Sequence, residues 1–252
     1  MATAVTFPGM TGATLAGRLD FPEGEPAAWA LFAHCFSCSK DLKAAVRISR
    51  SLAERGFAVL RFDFTGLGES EGTFAESHFS ANVGDLQAAA AWLADAHEAP
   101  ALLVGHSLGG AAVLAAAHDL PSVRAVATIG APCGPSHTAR LLEEARDRLE
   151  TEGEAVVTLA GRPFRITRTF LEDLEEGRVT DRLATLGRAV LFMHSPVDET
   201  VGVEHAATLF KAARHPKSFI SLDDADHLLT RPGDAEYAAA VLAAWSARYL
   251  PA

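Results

Sequence analysis

The run Ala99-Pro-Ala-Leu-Leu-Val104, then Gly105-His-Ser107-Leu-Gly109-Gly110, then Ala111–His118, narrows the possible folds more than any other feature of the sequence. The first piece has the length and apolarity of a buried strand, and the last is rich in strong helix formers. Strand must therefore give way to helix within a few residues. Glycines two positions before and two after Ser107 let the two elements approach without side-chain clash. A strand that turns straight into a helix is the repeating unit of parallel sheets covered by helices.

The remaining sequence keeps this rhythm. Two short strands are predicted at Ala2–Phe7 and Thr14–Asp20, with Gly9 and Gly12 in the turn between them. Further strands are predicted at Trp29–His34, Ala58–Phe64, Ala101–Val104, Val123–Gly130, Ala189–Met193 and Ser218–Leu222. Helices are predicted at Lys40–Arg55, Asn82–Ala96, from Ser107 onward, Val203–Ala213 and Ala235–Tyr249. This alternation predicts an α/β, mostly parallel, doubly wound sheet. The 252 residues suit one such domain. The rhythm breaks over 136–186, where a charged helix (139–150), a hairpin turning at Gly161 and a second helical piece (170–176) are predicted. The expected organisation is a core of 1–135 and 187–252, with 136–186 as a lid or cap insertion.

Composition excludes several classes of partner. The 22 basic and 32 acidic side chains leave a net charge of −10, which disfavours nucleic acid and anionic membrane surfaces. No apolar run approaches the ~20 residues a membrane span needs, and the N-terminal residues lack a signal-like pattern, so a cytoplasmic protein is expected. Three cysteines are too few and too oddly numbered for a disulfide framework. Zinc is not expected, because no second Cys/His pair stands at ligand spacing. The Cys35-Phe-Ser-Cys38 spacing leaves a redox role for that loop open.

The chemistry is read from three separated positions. Gly105-His-Ser107-Leu-Gly109 fits the G-x-S-x-G turn, which lifts a serine hydroxyl above the sheet and aims the first amides of the next helix at a developing oxyanion. An acid and then a histidine should follow in chain order. Asp198, in His194-Ser-Pro-Val-Asp198-Glu199, lies just beyond a predicted strand, at the sheet end where sites assemble. Glu199 is its nearest rival. His227, in Asp223-Asp-Ala-Asp-His227-Leu, follows the last strand and can reach back to the serine. His205 and His215 fall on a predicted helix and its end and are expected at the surface.

The segments His34–Asp41, Asp63–Gly72, Gly105–Gly110, His194–Val201 and Asp226-His227 stand in the order and spacing of the α/β-hydrolase superfamily. They most resemble its serine aminopeptidase-like and dienelactone-hydrolase-like branch. His34–Asp41 and Phe62–Ser70 also resemble hydrolase domains fused to OsmC-like domains, so the chain is expected to be such a hydrolase part standing alone or excised. The resemblance implies an α/β-hydrolase fold, a Ser107–His227–Asp198 triad and serine hydrolase chemistry on a small-molecule ester, thioester or amide. It implies no cofactor and no metal. Acyl transfer, perhydrolysis and aminopeptidase chemistry use the same triad, and a non-catalytic or redox role is a further alternative. The family's His-Gly-x loop reads His34-Cys35-Phe36 here, so the oxyanion amides are expected to be those of Phe36 and Leu108, each worth roughly 3 kcal/mol of barrier. Gly66, Gly68 and Ser70 match a scaffold turn of the family. Phe164 and Phe170 are expected either to make the acyl pocket apolar or to form cap core.

Overall fold

The computed structural model describes residues 2–159, 161–177 and 179–250. Met1, Pro251 and Ala252 of the expected core, and Ala160 and Arg178 of the expected insertion, lie outside the described residues. The strands are β1 (Ala2–Pro8), β2 (Thr14–Asp20), β3 (Ala28–Ala33), β4 (Phe57–Phe62), β5 (Leu102–His106), β6 (Ala125–Ile129), β7 (Glu154–Leu159), β8 (Arg162–Thr167), β9 (Ala189–His194) and β10 (Lys217–Ser221). The helices are α1 (Lys43–Ala53), α2 (Phe79–Ala96), α3 (Leu108–Ala116), α4 (Ser136–Ala139), α5 (Arg146–Glu152), α6 (Arg168–Glu176), α7 (Val179–Ala184), α8 (Glu204–Ala212) and α9 (Pro232–Ser246).

The main sheet has the order β1-β2-β4-β3-β5-β6-β9-β10. β1 and β2 pair antiparallel at one edge, β2 pairs antiparallel with β4, and the remaining neighbours are parallel. Central strands β3, β4, β5, β6 and β9 are buried throughout, as a sheet covered on both faces requires. Two apolar clusters do the covering. One joins α2 and α3 to Leu31, Leu60, Leu103 and Val126, and the other joins α1 and α9 to Ala30, Val59, Val104 and Leu191. Their residues alternate along each strand because successive side chains point to opposite faces.

The predicted elements differ from the observed ones mainly at their ends. The first helix begins at Lys43 rather than Lys40, because the Lys40 N–H donates to the Asp63 carboxylate at 2.6 Å and holds Lys40 outside the helix. α2 begins three residues earlier than predicted, since the His78 imidazole caps it by accepting from the Ala81 N–H. The charged helix predicted over 139–150 is divided into α4, a 3-10 stretch at Arg140–Ala145 and α5. The hairpin is β7–β8, with Gly161 at φ 76° in its turn. α7 was not predicted, and it packs against α3 and α8. Leu142, Leu149, Ile166, Phe170 and Leu174 of the insertion join the α2/α3 cluster, so this segment shares apolar core with the sheet.

Candidate active site

β5 runs into Ser107, which adopts φ 55° and ψ −126° before α3 begins at Leu108. A side-chain-bearing residue at positive φ is strained, and the neighbouring glycines explain how the chain sustains it. A Cβ at Gly105 would lie 2.3 Å from the Gly109 carbonyl oxygen, and one at Gly109 would lie 2.4 Å from that of His34. The two glycines thus permit β5, α3 and the end of β3 to converge. The Ser107 N–H donates to the Ile129 carbonyl at 2.9 Å, tying the turn to β6.

Three sequence-distant side chains meet here. The Ser107 Oγ lies 3.0 Å from His227 Nε2, and His227 Nδ1 lies 2.7 Å from Asp198 Oδ2. A carboxylate only accepts, so Nδ1 carries the proton and Nε2 is left to accept from the serine hydroxyl. The other carboxylate oxygen of Asp198, Oδ1, accepts from the Thr200 and Val201 N–H groups, each at 2.9 Å. Burial by itself would push the Asp198 carboxyl up; the bonds from His227, Val201 and Thr200 outweigh that and hold it below its usual value. The group therefore stays ionised beside the imidazole. Glu199, the rival acid, is exposed.

Phe36 and Leu108 stand close together, with His34, Gly109 and Asn82 around them. Among the described residues neither the Phe36 nor the Leu108 N–H has a hydrogen-bond acceptor. His34 Nδ1–H donates to the Cys35 carbonyl at 2.7 Å. In a trans peptide the C=O and N–H point opposite ways, so this bond also sets the direction of the Phe36 N–H. The base of the loop is anchored by buried Lys40, whose Nζ donates to Asp63 at 2.8 Å and to Glu69 at 2.6 Å. Asp63 also accepts from the Glu69 N–H, while Ser70 Oγ donates to the Asp63 carbonyl. Gly68, at φ 55°, is required because a Cβ there would sit 2.1 Å from Asp63 Oδ2. The Gly66–Ser70 turn is thus scaffold for the loop.

Phe170 is fully buried, with its ring 5.8 Å from Phe36 and 5.5 Å from Phe74, and half-buried Phe164 lies 4.2 Å from Phe74. Phe170 is therefore core rather than pocket lining. Arg162, at the start of β8, donates to the Ser37 carbonyl, linking the insertion to the loop.

Some of the residues that shape this site escaped the sequence reading. His106, the x of the serine motif, lies with its Nε2 2.7 Å from the His227 carbonyl oxygen and supports the histidine loop. Gly130 ends β6 at φ 56°, where a Cβ would be 3.2 Å from Asp198 Oδ2 and 3.3 Å from His227 Nδ1. The signal for Gly130 was a glycine closing a strand next to the serine strand. His194 Nε2–H donates to the Val201 carbonyl at 2.8 Å, holding the Asp198 loop closed. His205, expected at the surface, is instead half-buried: its Nδ1 accepts from the Cys133 N–H at 3.2 Å and stands 3.2 Å from Cys133 Sγ. Exposed His215 is at the surface as expected. No metal-holding group of His, Cys, Asp or Glu occurs among the described residues.

Known proteins share this architecture. The esterase domain of a Rhodothermus marinus protein is 52% identical, each chain covering 100% of the other, with a TM-score of 0.81. Est1E from Butyrivibrio proteoclasticus, solved with ferulic acid bound, is 21% identical over 97% of this chain and 99% of its own, with a TM-score of 0.80, a likeness of fold. The serine aminopeptidase S33 family pattern matches residues 38–154. Mouse mitochondrial palmitoyl-protein thioesterase ABHD10 is 28% identical over 199 residues, 75% of this chain and 63% of that protein. The chain belongs to the α/β-hydrolase superfamily. Within it, the chain is a hydrolase. No helix among the described residues is long and apolar enough to cross a membrane.

Proposed function

We propose that this chain is a serine esterase that cleaves small carboxylic esters, with thioesters as the nearest related substrates, through Ser107, His227 and Asp198. The observation that carries the reading is the continuous chain from Ser107 Oγ through His227 to Asp198, on a serine held at positive φ. His227 Nε2 takes the serine proton as Oγ attacks the carbonyl carbon, and ionised Asp198 stabilises the imidazolium. The negative charge on the carbonyl oxygen is met by the Phe36 and Leu108 N–H groups, which have no other acceptor among the described residues. Collapse of the tetrahedral intermediate expels the alcohol, which receives the proton from His227 Nε2 and leaves an acyl-Ser107. Water, deprotonated by the same nitrogen, then releases the acid.

The esterase name of the 52% identical domain and the thioesterase name of the mouse relative favour an oxygen or sulfur ester over an amide. Residues 136–186 act in this reading as a cap, whose Phe164 packs on Phe74, and Phe74 in turn packs on Phe36. The setting is cytoplasmic, and the net charge of −10 turns anionic polymers away.

The test is an acyl-chain-length series of nitrophenyl esters and thioesters, beside a peptide amide, with Ser107→Ala run in parallel. Ester turnover and fluorophosphonate labelling, both abolished by Ser107→Ala, are expected. Turnover that survives this substitution refutes the assignment, and amide turnover exceeding ester turnover redirects it to peptidase chemistry.

A further inference from the structure

The loop that presents the Phe36 N–H is closed on itself. Cys35 and Cys38 are disulfide-bonded, with their Cα atoms 5.3 Å apart, and the Cys38 N–H donates to the Cys35 carbonyl at 3.2 Å. The Cys35 carbonyl therefore accepts from both His34 Nδ1 and Cys38 N, and the disulfide joins the same two residues that the turn bond joins. Phe36 and Ser37 occupy the corners of this turn. The outer corner is held by Arg162 of the insertion, through the Ser37 carbonyl.

A ring of four residues restricts the unfolded chain less than half as much as a bond closing a loop of about a hundred residues, so this bond contributes less to global stability than a long-range one. What it does restrict is the rotation of the Cys35–Phe36 peptide. The two sulfurs also differ in access: Cys35 is 7% exposed, whereas Cys38 is half-buried and can be approached from solvent. The third cysteine, Cys133, is a free thiol that burial pushes up, so it stays protonated and is a poor competitor in exchange. Isolated disulfides of this kind in reducing compartments are characteristically transient and redox-sensing.

We propose that Cys35 and Cys38 are a thiol-exchange site on the oxyanion loop, through which a dithiol reductant lowers esterase turnover without unfolding the chain. The inference rests on reading the Phe36 and Leu108 amides as the oxyanion donors. A thiolate of the reductant attacks Cys38 Sγ; the Cys35–Cys38 bond breaks, and its electron pair leaves on Cys35 Sγ, which takes up a proton. The second thiolate of the reductant attacks its own sulfur in the mixed disulfide and expels the Cys38 thiolate, which is protonated in turn. The protein disulfide gains two electrons, and the dithiol becomes a cyclic disulfide. The Cys38 N–H bond to the Cys35 carbonyl then loses its covalent brace, and the Phe36 N–H spends less time aimed at the oxyanion.

The experiment uses the full chain, oxidised and then treated with dithiothreitol, with nitrophenyl acetate kinetics, intact mass and thermal unfolding measured on each form. Complete loss of one oxyanion donor costs about 10²–10³ in kcat, so a loosened donor is expected to cost roughly ten- to hundredfold, with KM within about twofold. The unfolding temperature should fall by only a few degrees, leaving the chain folded at the assay temperature, and re-oxidation should restore kcat. Cys35→Ser/Cys38→Ser should be fixed at the low rate and indifferent to dithiothreitol, while Cys133→Ser should respond as the parent does. A disulfide that survives excess dithiothreitol, a kcat unchanged after the mass shows two added hydrogens, or a double variant with full kcat overturns the switch alone. Absence of Ser107-dependent turnover in the oxidised chain overturns the esterase reading and the switch with it.

Discussion

Replacing His106 with glutamine isolates a stabilising contribution that vanishes in acid. His106 is 2% exposed, and its Nε2–H donates to the His227 carbonyl at 2.7 Å. Burial, with the neighbouring His227 charge second, pushes its imidazole down from 6.5 to about 3. The unfolded chain thus takes up a proton at this residue below pH 6.5, which the folded chain refuses until about pH 3. Stability owed to the neutral ring is complete above pH 6.5 and declines as pH falls, by about 1.4 kcal/mol per pH unit and about 5 kcal/mol in all. The glutamine amide can still donate to the His227 carbonyl but does not titrate. Urea unfolding of parent and His106→Gln at several pH values between 4.5 and 7.5 measures the difference. It should move by about 2–3 kcal/mol in the variant's favour between pH 6.5 and 4.5. Parallel stability curves over that interval would refute the assignment of a buried, neutral His106.

Asp198→Asn should lower kcat by about 10⁴-fold, with KM within a few-fold, because the amide favours the wrong imidazole tautomer; a loss under tenfold in ester kinetics contradicts the assignment. Gly109→Ala forces a Cβ to within 2.4 Å of the His34 carbonyl oxygen and 2.5 Å of that of Ala33, and should cost about 1–3 kcal/mol in denaturant unfolding. It should also depress kcat, since the displaced helix start carries the Leu108 amide. Lys40→Met takes the ammonium from the Asp63 carboxylate, which is 0% exposed and keeps only its Lys40 and Glu69 N–H bonds, and should cost about 3 kcal/mol, measured the same way. Phe170→Ala empties the aromatic contact between insertion and loop and should cost about 3–5 kcal/mol by thermal unfolding.

Local signals were enough to read most of the sheet. Buried strands such as Leu102–His106 and Ala189–His194 announce themselves as short apolar runs, because both faces of a parallel sheet are covered. The Ser107 turn is legible for a similar reason: its glycines are needed by contacts only a few residues away, such as Gly105 against Gly109. Asp198 and His227 could be nominated because each stands in a loop just past a strand. Helix boundaries near Lys40 and His78 were not legible, since one was decided by Asp63, 23 residues onward, and the other by an unusual imidazole cap.

By itself, then, the amino-acid order determined the alternation of strand and helix, the strained serine turn and the residue types able to do acyl chemistry, because these depend on neighbours in the chain. Tertiary structure alone decided that His106 would brace the His227 loop, that Gly130 would leave room for Asp198 beside the ring, and that Phe170 would be core rather than pocket. Each of these depends on which distant backbone arrives within a few ångströms, and hydrogen bonding and exclusion at that range leave no periodic trace in the sequence.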